Sequence, residues 1–356
     1  MNVRKTVIAI ALLFTISGMV LMSSPSASAG AGITVTNSVG TDVTFSGPAK
    51  KAASFGLSFT TTLIGLGCLD DIVMVDTYSA ASRSGLTELN GIPDYQVSTD
   101  YDMIAQNLAA GAGGFDRNRD VVFVYGYSYH AAAIRAMEVY GLKVVTFYPT
   151  SYDMGMRMVE TMGAVMGLSE KAKEIVSEMD TAAKYYLEML HLHGISSSDS
   201  RVRGVYVSVS GGDLRVGNVN SYSVMLMKIA GGVNPADDRT KTGSALTSYD
   251  PGLSFFVQTG YDVIFLDPYY PGSPEEFRNR YSIDKKVNIY KLDVVMNQYG
   301  PTSAKGIEFM AQAMYPDKFG GLEKQNENID DDRLIYAAAV SAVVSVVSVG
   351  YVVFRP

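Results

Sequence analysis

Cysteine is all but absent: Cys68 is the only one in 356 residues. An internal disulfide framework is therefore excluded, as is any zinc or iron–sulfur site built on cysteines. Histidine is nearly as scarce, with three residues, which leaves little for a multi-histidine metal site. Capture of a bare zinc or manganese ion, which needs several His and carboxylates converging, is excluded with it. Basic charge is in deficit: Lys and Arg number 29 against 36 Asp and Glu, a net charge of −7. A nucleic-acid partner, which requires a basic surface, is not expected. No Asn-x-Ser/Thr sequon occurs. There is no Gly-x-Ser-x-Gly elbow, no His-Glu-x-x-His and no Ser/His/Asp set around His130, so no catalytic residue, cofactor or metal ligand is assigned. Tryptophan is missing too, while tyrosine reaches 23. The chain is 47% hydrophobic, enough for real cores and for about two domains at roughly 150 residues each.

The two ends predict an address. Arg4 and Lys5 precede an apolar run from Val7 to Met22, and Ala27-Ser28-Ala29 is a small-x-small cleavage signal. Residues 1–29 read as a secretory signal peptide. At the other end, Leu334 to Phe354 contains no charge and is long enough to cross a hydrocarbon core of ~30 Å as a helix. Asp330-Asp331-Asp332 before it and Arg355 after it orient it with the body outside. The expected product is an external body tethered to the outer face of the cell membrane by a C-terminal transmembrane helix.

Between the ends, short apolar strands alternate with helical stretches, the pattern of α/β units with mostly parallel sheets. Ile33 to Phe45 reads as a hairpin. Strands are expected at Ala52–Phe55, Ile72–Val75, Val121–Val124 and Val144–Phe147. Helices are expected at Thr60–Leu66, closed by Gly67, and at Ala131–Tyr140, stopped by Gly141. Ser151 can cap a further helix whose apolar face is Met154, Met158, Met162, Val165 and Met166. From Ser169 to about His193, the residues Ile175, Met179, Ala182, Tyr186 and Leu190 recur at helical spacing, and this helix exceeds 30 Å at ~1.5 Å per residue. The second half repeats the arrangement: strands at Val205–Val209, Val263–Leu266 and Val287–Tyr290, and helices at Val224–Ala230 and after Pro301. Cys68 and the Met-rich face read as core. His191 and His193 read as exposed, and Gly111-Ala112-Gly113-Gly114 as a turn. Two segments echo each other. Asp120-VVFV-Tyr125 runs into Gly126-Tyr127-Ser128-Tyr129-His130, and Asp262-VIFL-Asp267 into Pro268-Tyr269-Tyr270-Pro271. Ligands of open α/β sheets sit beyond the C-terminal strand ends, where both aromatic loops lie.

With these residues in place the chain resembles the substrate-binding proteins of ABC importers for iron chelates, haem and cobalamin. The opening at 33–79 resembles the family's start. The segment YGLKVVTFYPTSYDMGMRMVETMGAVMG (140–167) resembles the strand and helix that end its first lobe. IAGGVNPA (229–236) and TGYDVIFLDP (259–268) resemble elements of the second. The resemblance covers roughly 33–320. It implies two Rossmann-like lobes joined by a long rigid α-helix, with the ligand in a cleft between them. The divisions are then a signal peptide (1–29), an N-terminal lobe (30–168), a linking helix (169–194), a C-terminal lobe (195–320), a linker (321–333) and a transmembrane helix (334–354). The resemblance further implies an acid on each lobe for docking onto the permease and ATPase complex. The matching positions are Thr61 and Ser254, with Asp250 the nearest acid to the latter.

The expected cleft residues are Tyr78, Arg83, Tyr127, Tyr129, His130 and Tyr148 from the first lobe, with Ser151 beside them. Arg215, Asn218, Tyr249, Tyr269 and Tyr270 are expected from the second. Tyrosine offers a flat apolar face with a hydroxyl tip, suited to gripping a ferric siderophore, haem or corrinoid by stacking. Arg83 and Arg215 would pair with anionic oxygens of such a chelate. The alternatives are an adhesive surface protein, which predicts surface repeats and no cleft, and a chelatase-like enzyme acting through His130.

Overall fold

The computed structural model describes residues 32–38, 40–237, 247–252 and 254–322. The expected signal peptide and transmembrane helix lie outside the described residues. Among the described residues no helix is long and apolar enough to cross a membrane.

Strands β1 (Ile33–Thr36) and β2 (Asp42–Phe45) form the antiparallel hairpin. It is pinned to the first lobe by Asn37, whose Nδ2 donates to Val144 O at 3.2 Å and whose Oδ1 accepts from Thr146 N at 2.7 Å. The first lobe contains β3 (Ala52–Phe55), β4 (Ile72–Asp76), β5 (Asp94–Tyr95), β6 (Val121–Tyr125) and β7 (Lys143–Phe147), in the order β5-β4-β3-β6-β7. Every pairing is parallel. Its strands are near-continuous apolar runs because helices cover both faces.

The second lobe contains β8 (Gly204–Ser210), β9 (Asp213–Gly217), β10 (Ser248–Tyr249), β11 (Val263–Leu266) and β12 (Asn288–Lys291), in the order β10-β9-β8-β11-β12. Here the structure departs from expectation. Gly211 and Gly212 both have positive φ (61° and 90°), which allows a two-residue turn that doubles β8 back onto β9. β9 and β10 are therefore antiparallel, and only β8, β11 and β12 keep the parallel pattern. The Pro274–Tyr281 helix also went unread, although Ser273 and Glu276 form a reciprocal capping box at its start. The Tyr101–Ala109 helix leads into the turn at 111–114. The helix after Pro301 runs from Ser303 to Met314, because Gly300 and Pro301 form the turn before it.

The internal echo has a physical basis. Asp120 opens β6 and accepts from Lys51 N at 3.1 Å, just before β3. Asp262 opens β11 and accepts from Arg203 N at 2.9 Å, just before β8. In each lobe an acid at the strand's start clamps the parallel neighbour into register.

The Ser169–Leu192 helix is 24 residues long. Ala172, Ile175, Met179, Tyr186 and Leu190 are buried, while Lys–acid pairs such as Lys184–Asp180 (2.6 Å) occupy its outer face. The buried stripe belongs to one core that includes Phe59, Leu63 and Val159 on one side and Leu226, Phe265 and Met310 on the other. Tyr152 of the first lobe donates its hydroxyl to Met179 O at 2.9 Å. The expected Met154–Met166 helix runs from Tyr152 to Val165, and Ser151 Oγ accepts from Met154 N at 3.1 Å as its cap.

Leu190 is fully buried against the second-lobe turn at Gly231. Leu190→Ala is expected to cost about 2–5 kcal/mol, the range for a core Leu. Because both lobes share that core, urea unfolding should remain one transition, with fluorescence and circular dichroism curves coinciding at a lower midpoint.

Candidate functional site

The parallel strands of both lobes end at one place. At the end of β4, Asp76 accepts from Ser79 N at 3.1 Å and from the Ser79 hydroxyl, tightening the turn that presents Tyr78. Beyond β11, Asp267 Oδ1 accepts from Tyr269 N at 2.8 Å, and its other oxygen accepts from the Tyr206 hydroxyl. Each acid is a turn-former that stops its strand and swings the following tyrosine outward.

These two tyrosines meet across the lobes. The rings of Tyr78 and Tyr269 lie edge to face with centroids 6.0 Å apart. The Arg83 guanidinium sits 3.9 Å from the Tyr78 centroid and 5.2 Å from that of Tyr269. Arg83 thus bridges both lobes by cation–π contact. Tyr78 and Tyr269 remain 42% and 41% exposed, so this contact is a rim.

Beside it stands a tyrosine stack. Tyr125, Tyr127 and Tyr129 lie in sequence with centroids 5.0 and 5.3 Å apart, and Tyr148 meets Tyr127 edge-on at 5.2 Å. His130 packs edge-on against Tyr129 at 4.4 Å. Its Nδ1 lies 3.1 Å from Tyr125 O, and a carbonyl only accepts, so Nδ1 carries the proton. Burial lowers the imidazole's pKa, which keeps the ring neutral. Burial likewise pushes the Tyr125, Tyr127 and Tyr129 phenols upward, and neighbouring phenols add to the effect. Tyr269 and Tyr299 are pushed up to about 12, by burial first. The wall therefore offers neutral faces and hydroxyl donors, not phenolates.

Under the stack is a buried polar junction. Ser58 Oγ accepts from the Tyr125 hydroxyl at 2.6 Å and from Tyr299 N at 3.0 Å, and lies 3.3 Å from Gln298 Oε1. Ser58 comes from the first lobe and the other two partners of this hydroxyl, Gln298 and Tyr299, follow β12 of the second. Asn297 continues the network, donating to the Tyr206 hydroxyl at 3.0 Å and accepting from Ser223 Oγ at 2.7 Å.

The expected residues divide accordingly. Tyr78, Arg83, Tyr127, Tyr129, His130, Tyr148 and Tyr269 come together. Ser151 is taken up as a helix cap. Tyr270 does not join them: it is 5% exposed and packs against Phe277 in the second-lobe core, 5.4 Å between centroids. Consecutive residues in this turn face opposite ways, so Tyr269 and Tyr270 cannot share the gap. Tyr249 packs against Phe255 at 6.2 Å on the lobe's flank. Asn218 is buried at 3% exposure, and its Oδ1 accepts from Asn220 N at 2.9 Å within the turn before the Tyr222–Ile229 helix. Arg215 lies on β9 opposite Ser208, and among the described residues no ring contact or ion pair joins it to the tyrosines. Arg215 and Asn218 follow the Gly211-Gly212 turn, on β9 and just after it.

Thr61, the position matched to a docking acid, is 4% exposed and donates to Ser58 O at 3.2 Å. Ser254 is exposed. Cys68 is buried, and its thiol is pushed up to about 11 by burial and by Asp71. The glycine-rich turn at 111–114 packs onto β4, where a Cβ on Gly113 would lie 2.8 Å from Val73 Cβ. Among the described residues, no group of three or more His, Cys, Asp or Glu could hold a metal ion. A cavity of about 490 Å³ exists elsewhere, at the opposite end of the second sheet's strands, before β8. It belongs to one lobe alone, whereas the tyrosine rims unite residues of both at the strand ends where α/β folds bind ligands.

Sequence reading missed Ser58, Asp76, Gln298 and Tyr299. Asp76 was legible as an acid directly after an apolar strand. The Ser58 contacts join positions about 240 residues apart and leave no local signal.

No family model matches the sequence, and no curated protein matches it. Solved structures do match. Helicobacter pylori CeuE, solved with Ni(II) bound, superposes with a TM-score of 0.65 at 17% identity, over 82% of this chain and 91% of that one. The molybdate periplasmic binding protein MolA of Haemophilus influenzae gives 0.63 at 18% identity over 81% and 92%. The periplasmic haem-binding protein RhuT of Roseiflexus gives 0.56 at 16% identity over 75% and 98%. The chain has the two-lobed α/β fold of the periplasmic solute-binding proteins of ABC transporters.

Asp76 provides a test of the site's electrostatics. Burial raises its carboxyl from 3.8 to about 6, against the opposing hydrogen bonds from Ser79. The folded carboxyl holds its proton to higher pH than the unfolded one. Its stabilising contribution is therefore complete below about pH 4 and lost as pH rises through about 6. Asp76→Asn keeps an acceptor for Ser79 and cannot ionise. Relative to the unmodified protein it should gain about 2–3 kcal/mol between pH 4 and pH 8, read from urea midpoints.

Proposed function

We propose that the chain is the extracytoplasmic substrate-binding component of an ABC importer, and that it captures a metal chelate between its lobes. The observation that carries this reading is the Tyr78–Arg83–Tyr269 contact, in which residues of both lobes converge on one gap. The fold supports it, since the superposed proteins are solute-binding proteins rather than enzymes. Among them, one was solved with nickel, one with molybdate, one is a haem-binding protein, and another matching structure is of an Fe3+-hydroxamate transport system. The wall chemistry selects among such cargoes. Neutral tyrosine faces with one guanidinium suit a flat or chelated anion, which brings its own metal ligands. A ferric siderophore, haem or corrinoid has that character.

Tyr127, Tyr129, Tyr148 and Tyr78 supply the stacking surface, Tyr269 closes it from the second lobe, and Arg83 pairs with anionic oxygens. His130 positions the stack through its bond to Tyr125 O. Entry of ligand requires the Tyr78–Tyr269 rim to part while the shared core holds the lobes. The motion is therefore small. Residues 1–29 direct export and 334–354 tether the protein beside the permease, which raises its local concentration there.

The experiment is a titration of purified protein with haem, a corrinoid, a ferric hydroxamate and a ferric catecholate, followed by tyrosine fluorescence. One of the four should bind at micromolar or better affinity. Tyr127→Ala should then weaken binding about tenfold, since an aromatic contact is worth ~0.5–1.5 kcal/mol beyond its buried area. Failure of all four cargoes ends this reading.

A further inference from the structure

The cavity of about 490 Å³ at the foot of the second lobe has a chemistry of its own. Arg201, Arg203 and Lys228 line it, with Asp199, Asp237 and Asn234. Lys228 is already paired with Asp237, and Asn234 Nδ2 donates to the same carboxylate at 2.8 Å. The two arginines are not paired in this way. Arg203 donates through Nε to Gly260 O at 2.6 Å, and its terminal amino groups have no acceptor among the described residues. The Arg201 Nε–H is buried and also has none among them. Asp199 is exposed and accepts from Ser198 Oγ at 3.4 Å. Asp262 is the other nearby acid, and it accepts from the Arg203 backbone N–H at 2.9 Å.

A guanidinium N–H buried without an acceptor is costly, because it has lost water and gained nothing. Here Arg201 carries one such group, beside the exposed guanidinium of Arg203: Arg201 has extended backbone (φ −88°, ψ 148°), and Arg203 follows two residues on, which places both on one side of the segment. Two planar forks on one wall match the several oxygens of a phosphate better than the two of a carboxylate. The volume exceeds that of a bare ion and suits a phosphate carrying an organic group.

We propose that this cavity is a second binding site, for a phosphate ester, held by Arg201 and Arg203. The site lies at the N-terminal edge of β8, about 20 Å along the strands from the tyrosine rim at ~3.3 Å per residue. It is independent of the proposed cargo site. Two sources present this chemistry: a soluble phosphate monoester and the diester headgroup of a phospholipid. The chain's course favours the second. Tyr315 donates its hydroxyl to Gly231 O at 2.8 Å and accepts from Val202 N at 3.0 Å. The chain therefore leaves the second lobe next to this cavity on its way to the proposed tether, which would turn the cavity toward the bilayer.

The test is calorimetric titration of the full chain in neutral detergent with two probes, glycerol 3-phosphate and monomeric dihexanoyl-phosphatidylglycerol. At least one should bind with one-to-one stoichiometry and a submillimolar Kd. The Arg201→Gln/Arg203→Gln double variant should lose at least tenfold in that affinity, while Arg83→Ala leaves it unchanged. Preference for the diester assigns the site to lipid and preference for the monoester to a soluble ligand. Should the double variant not fold, Arg201→Lys keeps the charge, removes the buried Nε–H and should lose several-fold. Binding of neither probe, or binding unaltered by these substitutions, overturns the proposal. Because Arg83→Ala touches only the tyrosine rim, failure here leaves the cargo reading intact, and the reverse holds.

Discussion

The arrangement depends on one buried stripe, the inward face of the Ser169–Leu192 helix. Ala172, Ile175 and Met179 pack with first-lobe residues, and Leu190 lies against Gly231 of the second. A fully buried side chain of this size is worth ~1.5–3 kcal/mol. The helix is therefore held along its length by both lobes and cannot act as a pivot. Among the described residues the chain crosses between the lobes through this packed helix, so relative movement of the lobes must be taken up by small repacking of a shared core. That constraint fixes where the strand ends face each other and how far they can part.

Within that frame the cross-lobe contact is graded from a buried polar junction to an aromatic rim. Ser58 joins Tyr125 to Gln298 and Tyr299 in a buried network. The rim, Tyr78, Arg83 and Tyr269, is half exposed and held by ring contacts. A net hydrogen bond is worth ~0.5–1.5 kcal/mol and an exposed cation–π pair ~0.5–1 kcal/mol. The rim contacts thus cost little to exchange for contacts with a stacked ligand, whereas the floor holds because its groups are desolvated and mutually satisfied. Asp76 and Asp267 bring acids into this region, but each is tied to a hydroxyl, Ser79 or Tyr206, and burial raises both. The carboxyls shape turns and leave the facing surface to neutral aromatics.

How much of this could be read in the sequence follows from how local each cause is. Strands covered on both faces are short apolar runs, so β3, β4, β6, β7, β8 and β11 stood out. The long helix stood out because its stripe repeats over 24 residues. β9 did not, because its alternation hides a ladder that only the Gly211-Gly212 turn creates. The tyrosines after β4, β6, β7 and β11 were visible as aromatic loops at strand ends. The loss of Tyr270 to the core depends on the turn geometry at Asp267, which the residue types alone do not reveal. Ser58 was hidden most completely: it sits in a run of hydroxyl residues whose partners come from the far end of the chain.

The Leu57–Leu66 helix shows how the same burial bears on docking. The resemblance to importer binding proteins places an acid where this chain has Thr61. In this fold that position is enclosed, with Ser58, Phe59, Thr60, Thr62 and Leu63 buried around it. A carboxylate there would lose its water with no cation to replace it, at a cost of several kcal/mol. Threonine instead turns its hydroxyl back to Ser58 O, the neighbour that holds the cross-lobe junction. The burial that sets Ser58 beneath the tyrosines leaves no solvent at Thr61 for a charge, so the proposed docking of this lobe would rest on residues outside that helix position.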